Sequence, residues 1–68
     1  MKAMHLDHDM LLDAARLMER QGGSFAASIA RAFYCADTTN RERLLVAFDD
    51  LFVRYYKLHR LDEINQGE

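Results

Sequence analysis

The chain contains no proline, and two of its three glycines stand side by side at Gly22 and Gly23. Folds with many β-turns depend on both residue types, so their scarcity favours a few long helices. Half of the 68 residues are hydrophobic and 29% are charged, which is the balance of a folded protein rather than a disordered tail. We therefore predict a single small all-α domain over residues 1–68.

Apolar residues near the N-terminus repeat at intervals of three and four, which predicts a first helix over about residues 8–21. The repeat comprises Leu6, Met10, Ala14, Leu17 and Met18. A carboxylate at Asp7 can cap the first amides. The Gly22–Gly23 pair ends the helix, because glycine adopts the left-handed conformation without a Cβ penalty. Residues 1–6 are predicted to be frayed.

Ser24 follows the glycines and is a good N-cap, so a second helix is predicted over about residues 25–36, folded back on the first as a helical hairpin. Its apolar face comprises Phe25, Ile29, Ala32, Phe33 and Ala36. Ala27, Arg31 and Tyr34 lie on the opposite side with the spacing i, i+4, i+7. A tyrosine and an arginine beside a small residue have the composition of a binding hot spot, which predicts a partner-binding surface. Alternatively, Tyr34 packs against the tail or a second copy, and Arg31 is solvated.

Thr39 followed by Glu42 matches a capping box, so a long third helix is predicted over about residues 40–60. It would be about 30 Å long against roughly 18 Å for the second helix, so its apolar stripe extends beyond what that helix can cover. A twofold homodimer would shield the excess. The predicted dimer interface comprises Leu51, Phe52, Tyr55, Tyr56 and Leu58. The alternative is that the first helix covers this strip. Residues 62–68 lose the pattern and are predicted to be frayed.

No residue pattern indicates catalysis, a cofactor or a metal. His5, His8 and Asp9 are close together, but no further ligand stands at a metal-binding spacing from them. Cys35 is the only cysteine, which excludes an internal disulfide and favours a reducing, cytosolic setting. No apolar run approaches the ~20 residues that a membrane span needs. We expect a non-enzymatic protein that does not enter membranes.

The charge balance favours a protein partner over nucleic acid. The formal net charge is −2, whereas proteins that bind DNA through its phosphates carry a positive excess. The alternative function is a small helix-turn-helix regulator, with Arg41 and Arg43 at the start of the recognition helix. The acidic residues Asp49 and Asp50 farther along the same helix argue against it.

Three segments of the sequence share a pattern with small phage and prophage proteins. They are RLMERQGGSF at 16–25, ADTTNR at 36–41 and AFDDLF at 47–52, followed by Tyr55. Over about residues 10–56 the chain resembles the phage anti-quorum-sensing protein family. This resemblance implies a small all-helical homodimer, made early in infection, that binds and disables proteins in the host cytoplasm. The targets in that family include a LuxR-type quorum-sensing transcriptional activator, whose DNA-binding domain is occluded, and the assembly ATPase of type IV pili.

Overall fold

Residues 2–66 form helices and no β-strand in the computed structural model, which confirms the all-α prediction. The structure describes these residues, and for residues 63, 65 and 66 it describes the backbone only. The elements are an N-terminal 3-10 turn (Ala3–His5) and helices α1 (His8–Gln21), α2 (Gly23–Cys35), α3 (Thr38–Ala47) and α4 (Asp49–Gln66). None of these helices is long and apolar enough to cross a membrane.

The core forms around α1, which packs against both α2 and α4. Among the described residues, the largest fully buried side chains are Phe33, Phe52, Leu17 and Met18. The rings of Phe33 and Phe52 stand 5.3 Å apart, so α2 and α4 also meet directly beside α1. An aromatic pair at this separation adds to the stability gained from burial alone.

The corner between α1 and α2 follows the local sequence. Asp7 caps α1 as expected, accepting a hydrogen bond of 2.9 Å from the Met10 amide. Gly23 has a φ of 78°, in the left-handed region that favours glycine. A Cβ atom on Gly22 would lie 2.5 Å from the Ala26 Cβ and 2.6 Å from the Met18 carbonyl oxygen, so the two helices meet too closely there for any side chain.

The predicted start of α2 is wrong, and its predicted apolar face is confirmed at Phe33 but not at Phe25. The helix begins at Gly23, so Ser24 lies in its first turn and no side chain caps it. Ala26, Ala30 and Phe33 are its buried residues, whereas Phe25, expected in the core, is 63% exposed. The small alanines allow α2 to lie close to α1, and this turns the larger Phe25 outward.

Asp37 is the N-cap of α3 and lies two residues before Thr39, the predicted N-cap. Its side chain accepts a hydrogen bond of 2.9 Å from the Asn40 amide. Thr39 is therefore the second residue of the helix, and the Thr39–Glu42 capping box is not formed. An aspartate in the N-cap position accepts this bond at least as well as threonine would, so the earlier start is favoured.

The predicted long third helix is divided in two. Phe48 has φ −119° and ψ 35°, outside the helical region, and it separates α3 from α4. Neither glycine nor proline occurs between residues 38 and 66, so the bend does not arise from either of these helix-breaking residues. The N-terminal turn packs against both helices at this point, and the Ala3 amide donates a hydrogen bond to the Asp49 carboxylate. These tertiary contacts stabilise the bend between the two helices.

Both predicted frayed ends are more ordered than expected. Ala3 and Leu6 are buried in the core, because the N-terminal turn fills the space beside the α3–α4 bend. At the other end α4 continues to Gln66 instead of ending near residue 60. Of the ends predicted to be frayed, Met1, Gly67 and Glu68 lie outside the described residues.

Candidate interaction surfaces

The predicted partner-binding row lies along the edge where α2 meets α1. Arg31 is exposed over 72% of its side chain, and its Nε lies 3.9 Å from the Glu19 carboxylate on α1. Ala27 and Tyr34 are half-buried, and Tyr34 packs against the core. The row is thus partly structural, with Arg31 as its most accessible member.

Tyr34 is held in its neutral form by its surroundings. Burial is the largest cause of the raised pKa of its hydroxyl. The negative charge of Glu19 and hydrogen bonding to that carboxylate raise the pKa further, while the positive charge of Arg16 partly opposes the shift. Tyr34 and Glu19 therefore connect α2 to α1 through a polar contact at the edge of the core.

A second polar contact joins α1 to α4. The Asp13 carboxylate lies 3.5 Å from His59 Nε2 and 3.6 Å from Arg16. These side chains, with Glu19 and Arg20, line a shallow polar hollow. Carboxylates and cations alternate along it, so it presents no single sign of charge to a ligand.

The predicted dimer interface is split between the core and the surface. Phe52 is fully buried and Tyr56 is 7% exposed, both within one chain. They cannot form an interface with a second copy in this fold, because α1 packs over α4 as the alternative reading expected. Leu51 and Tyr55 are partly buried, and Leu58 is 40% exposed. Leu61 and Ile64 extend this exposed apolar strip toward the C-terminal end of α4.

The structure also reveals an apolar surface that the sequence did not predict, here called the junction patch. It comprises Met4, Phe25, Val46, Phe48 and Leu51. Phe25 is 63% exposed and Val46 is 66% exposed. The Phe25 ring meets Phe48 edge to face at 5.7 Å. Val46 lines three hollows, one shared with Phe25 and two shared with Met4, so the patch is continuous across the α3–α4 bend.

Charged side chains surround the junction patch. Asp49, Asp50 and Arg54 border it on the α4 side, and Glu42 and Arg43 border it on the α3 side. An apolar centre with a charged rim is typical of protein–protein interfaces. The patch forms only when the N-terminal turn, α2 and the α3–α4 bend come together, so helical periodicity alone could not have revealed it.

Arg41, proposed above to contact DNA, is used within the fold. Its Nε donates a hydrogen bond of 3.2 Å to the Phe33 carbonyl oxygen, and its guanidinium lies 5.0 Å from the centre of the Phe33 ring. A cation in this position satisfies a carbonyl of the last turn of α2 and complements the helix dipole. Arg43 is exposed, so it is the member of the pair that is accessible to a ligand.

The remaining candidates for chemistry are dispersed. Among residues 2–66, no three histidine, cysteine, aspartate or glutamate side chains come together in a way that could hold a metal ion. Cys35 is exposed at the end of α2.

Comparisons with known proteins identify no relative of this chain. The chain matches no family model, no curated protein and no solved structure.

Proposed function

We propose that this chain is a non-enzymatic interaction protein that binds and inhibits another protein through the junction patch. The observation that carries the proposal is the exposure of Phe25 and Val46, which at 63% and 66% are the two most exposed large apolar side chains among the described residues. A continuous apolar patch of this kind on a small domain is typical of a binding surface. Aromatic side chains at the centre of such a patch supply much of the binding free energy.

The resemblance described above supports a more specific proposal. As a phage-type inhibitor in the host cytoplasm, the chain would bind a LuxR-type quorum-sensing activator and occlude its DNA-binding domain. The assembly ATPase of type IV pili is a second proposed target. Arg31, with its exposed guanidinium, would contribute at the edge of the interface together with Ala27 and Tyr34.

We also propose a twofold homodimer, with an interface smaller than the sequence predicted. The apolar strip of α4, formed by Leu51, Tyr55 and Leu58 and extended by Leu61, is the surface that a second copy would cover. Asp50 and Lys57 stand seven residues apart on α4 and carry opposite charges. An antiparallel arrangement of two α4 helices would bring Asp50 of each copy toward Lys57 of the other.

The binding proposal is tested by measuring capture of a purified LuxR-type activator on immobilised protein. Val46→Glu places a charge in the junction patch at an exposed position, so it leaves the core intact. We expect it to weaken binding more than tenfold, because burying an unpaired charge in an interface is strongly unfavourable. Gln21→Glu, which adds a charge at an exposed position outside both the junction patch and the proposed dimer strip, is the matched control and should bind as the unmodified chain does. Equal binding by both variants would contradict a role for the patch.

Inhibition needs its own measurement. The captured activator is mixed with its operator DNA, and the chain should reduce complex formation in proportion to its occupancy of the activator. An activator that binds the chain and DNA together without competition would contradict occlusion. If the activator is not captured but the pilus ATPase is, the second target replaces the first.

DNA binding is the alternative function, and one observation favours it. α2 and α3 are joined by only two residues, and α3 exposes Asn40 and Arg43 on a short helix, as a helix-turn-helix requires. This alternative predicts a duplex complex that weakens steeply with salt and is reduced by Arg43→Ala. A gel shift at low salt without any complex at micromolar protein would exclude it.

A further inference from the structure

The bend between α3 and α4 interrupts very little of the helical hydrogen bonding. The Phe48 amide still donates to the Leu44 carbonyl at 2.8 Å, and the Phe52 amide donates to the Phe48 carbonyl at 3.1 Å. Only the three amides of residues 49–51 lie between these bonds, so only they lack the bond that a continuous helix would give them. Since Phe48 is the single residue between the two helices, a change in its backbone angles would be enough to join them.

Two contacts from outside these helices hold the bend. The Ala3 amide donates to the Asp49 carboxylate, which fixes the N-terminal turn against the first turn of α4. The Phe25 ring packs edge to face on Phe48. Both contacts come from residues before α3, so they depend on where the first half of the chain lies.

If α3 and α4 joined within one chain, either α4 would leave α1 or α3 would leave the helices it packs on. Buried side chains such as Leu45, Phe33 or Phe52 would then be exposed. A second copy can restore the contacts of these buried side chains, whereas the contacts that depend on the bend, those of Phe48 with Phe25 and of the Asp49 carboxylate with the Ala3 amide, are lost. The contacts between α1 and α4, including Asp13 with His59, would then form between copies. An exchange of this kind costs little because the native contacts are reused.

We propose that two copies of the chain exchange α4 through a hinge at Phe48. In the exchanged form Phe48 is helical, and α3 and α4 make one helix over Thr38–Gln66. That helix is about 43 Å long at 1.5 Å per residue. It exceeds the longest extent of the bent chain, which is 39 Å. The N-terminal turn and Phe25 act as a clasp that keeps the single chain closed.

The exchange differs from the twofold dimer proposed above and does not depend on the proposed binding function. Packing two copies through the outer strip of α4 leaves the bend in place. Exchange of α4 straightens it. The distance between one label on α3 and one on α4 therefore distinguishes the two dimers.

A pair of substitutions at Asp49 tests the proposal. Asp49→Ala and Asp49→Pro both remove the carboxylate that holds the N-terminal turn. Proline suits the first position of a helix, but within a continuous helix it lacks the amide hydrogen and clashes with the carbonyl four residues earlier. The alanine variant can therefore exchange α4, and the proline variant cannot. Phe25→Ala, which removes the other half of the clasp from an exposed position, should behave as Asp49→Ala does.

The measurement combines light scattering with electron-spin distances. Each variant carries Cys35→Ser and spin labels at Thr39→Cys and Lys57→Cys, and is refolded at high concentration in an excess of unlabelled chain. In a joined helix the labelled positions are about 27 Å apart along the axis, and in the bent chain they are closer. We expect Asp49→Ala to raise the ratio of dimer with the long distance to monomer about tenfold, the effect of losing one hydrogen bond to a carboxylate. Asp49→Pro should show neither the increase in dimer nor the long distance between the labels.

Three results would overturn the proposal. One is a dimer of Asp49→Ala that keeps the short distance, which would indicate packing through the outer strip of α4 without exchange. Another is equal dimerisation of the alanine and proline variants. The last is a monomer with the short distance in every variant at the highest concentration reached. Circular dichroism of each sample confirms that the variants compared are folded.

Discussion

Two bends in this chain arise in different ways. At the α1–α2 corner, Gly23 adopts a positive φ and Gly22 permits a close approach that no other residue would allow. At the α3–α4 bend, Phe48 leaves the helical region although residues 38–66 contain neither glycine nor proline. The first bend is encoded where it occurs. We attribute the second to contacts with Ala3 and Phe25, which lie far away in the sequence.

The strongest test of the locally encoded corner is Gly22→Ala. The added Cβ would lie 2.5 Å from the Ala26 Cβ and 2.6 Å from a backbone carbonyl oxygen, so the helices must move apart. We expect the free energy of unfolding in urea to fall by about 3 kcal/mol, as overpacking does. Gly23→Ala is the control: its Cβ meets open space, and only the positive φ opposes it, at a cost of about 1 kcal/mol. An equal loss at both positions would contradict the close-approach argument.

The α3–α4 bend is tested by Phe48→Ala. Because Phe48 is half-buried and packs on Phe25, we expect stability to fall by about 2 kcal/mol in urea unfolding. Phe25→Ala should cost only about 1 kcal/mol, since the ring is mostly exposed and loses chiefly the aromatic contact. The double variant should lose less than the two single losses together, because both remove the same contact. Strict additivity would mean that the two rings do not stabilise the bend together.

The α2–α3 connection combines a local cap, made by Asp37, with a contact between Arg41 and Phe33. Arg41→Ala removes the hydrogen bond to the Phe33 carbonyl and the stacking on its ring. A loss of about 1 kcal/mol in thermal unfolding is expected. The exposed Arg43→Ala should change stability by less than about 0.5 kcal/mol. A larger effect at Arg43 than at Arg41 would show that the contact with Phe33 is not stabilising.

The smallest expected effect concerns the Tyr34–Glu19 contact between α2 and α1. Burial and Glu19 raise the pKa of Tyr34 in the folded chain, so folding favours the neutral phenol. The stabilisation that comes from the neutral Tyr34 hydroxyl is complete below the ordinary tyrosine pKa of about 10. It is lost as the pH rises through the higher pKa of Tyr34 in the folded chain. Tyr34→Phe should remove this part of the alkaline loss of stability. Ultraviolet titration of Glu19→Gln should show a lower Tyr34 pKa, and an unchanged titration would contradict the assignment.

Features that depend on neighbouring residues could be predicted from the sequence, and features that depend on distant contacts could not. The all-α class, the Asp7 cap and the glycine corner depend on residues within one turn of each other, and all three are confirmed. The bend at Phe48 and the burial of Ala3 depend on contacts between distant residues, and helical periodicity predicted one long helix and a frayed end instead.

The candidate site was less predictable than the fold. Arg31 is exposed as expected, but Phe52 and Tyr56 form part of the core because α1 covers them. The junction patch requires the bend, so a continuous third helix could not have produced it. Val46 and Phe25 become neighbours of one hollow only after α3 turns away from α4.

Two synthetic peptides separate a bend that is encoded by its own residues from one that depends on distant contacts. Peptides covering residues 8–35 and 36–66 are dissolved in aqueous trifluoroethanol, which favours helix and removes tertiary contacts. Carbon-13 Cα chemical shifts then report helicity residue by residue. We predict an interruption at Gly22 and Gly23 in the first peptide and a continuous helix through Phe48 in the second. A clear interruption at Phe48 in the second peptide would contradict the dependence of that bend on distant contacts.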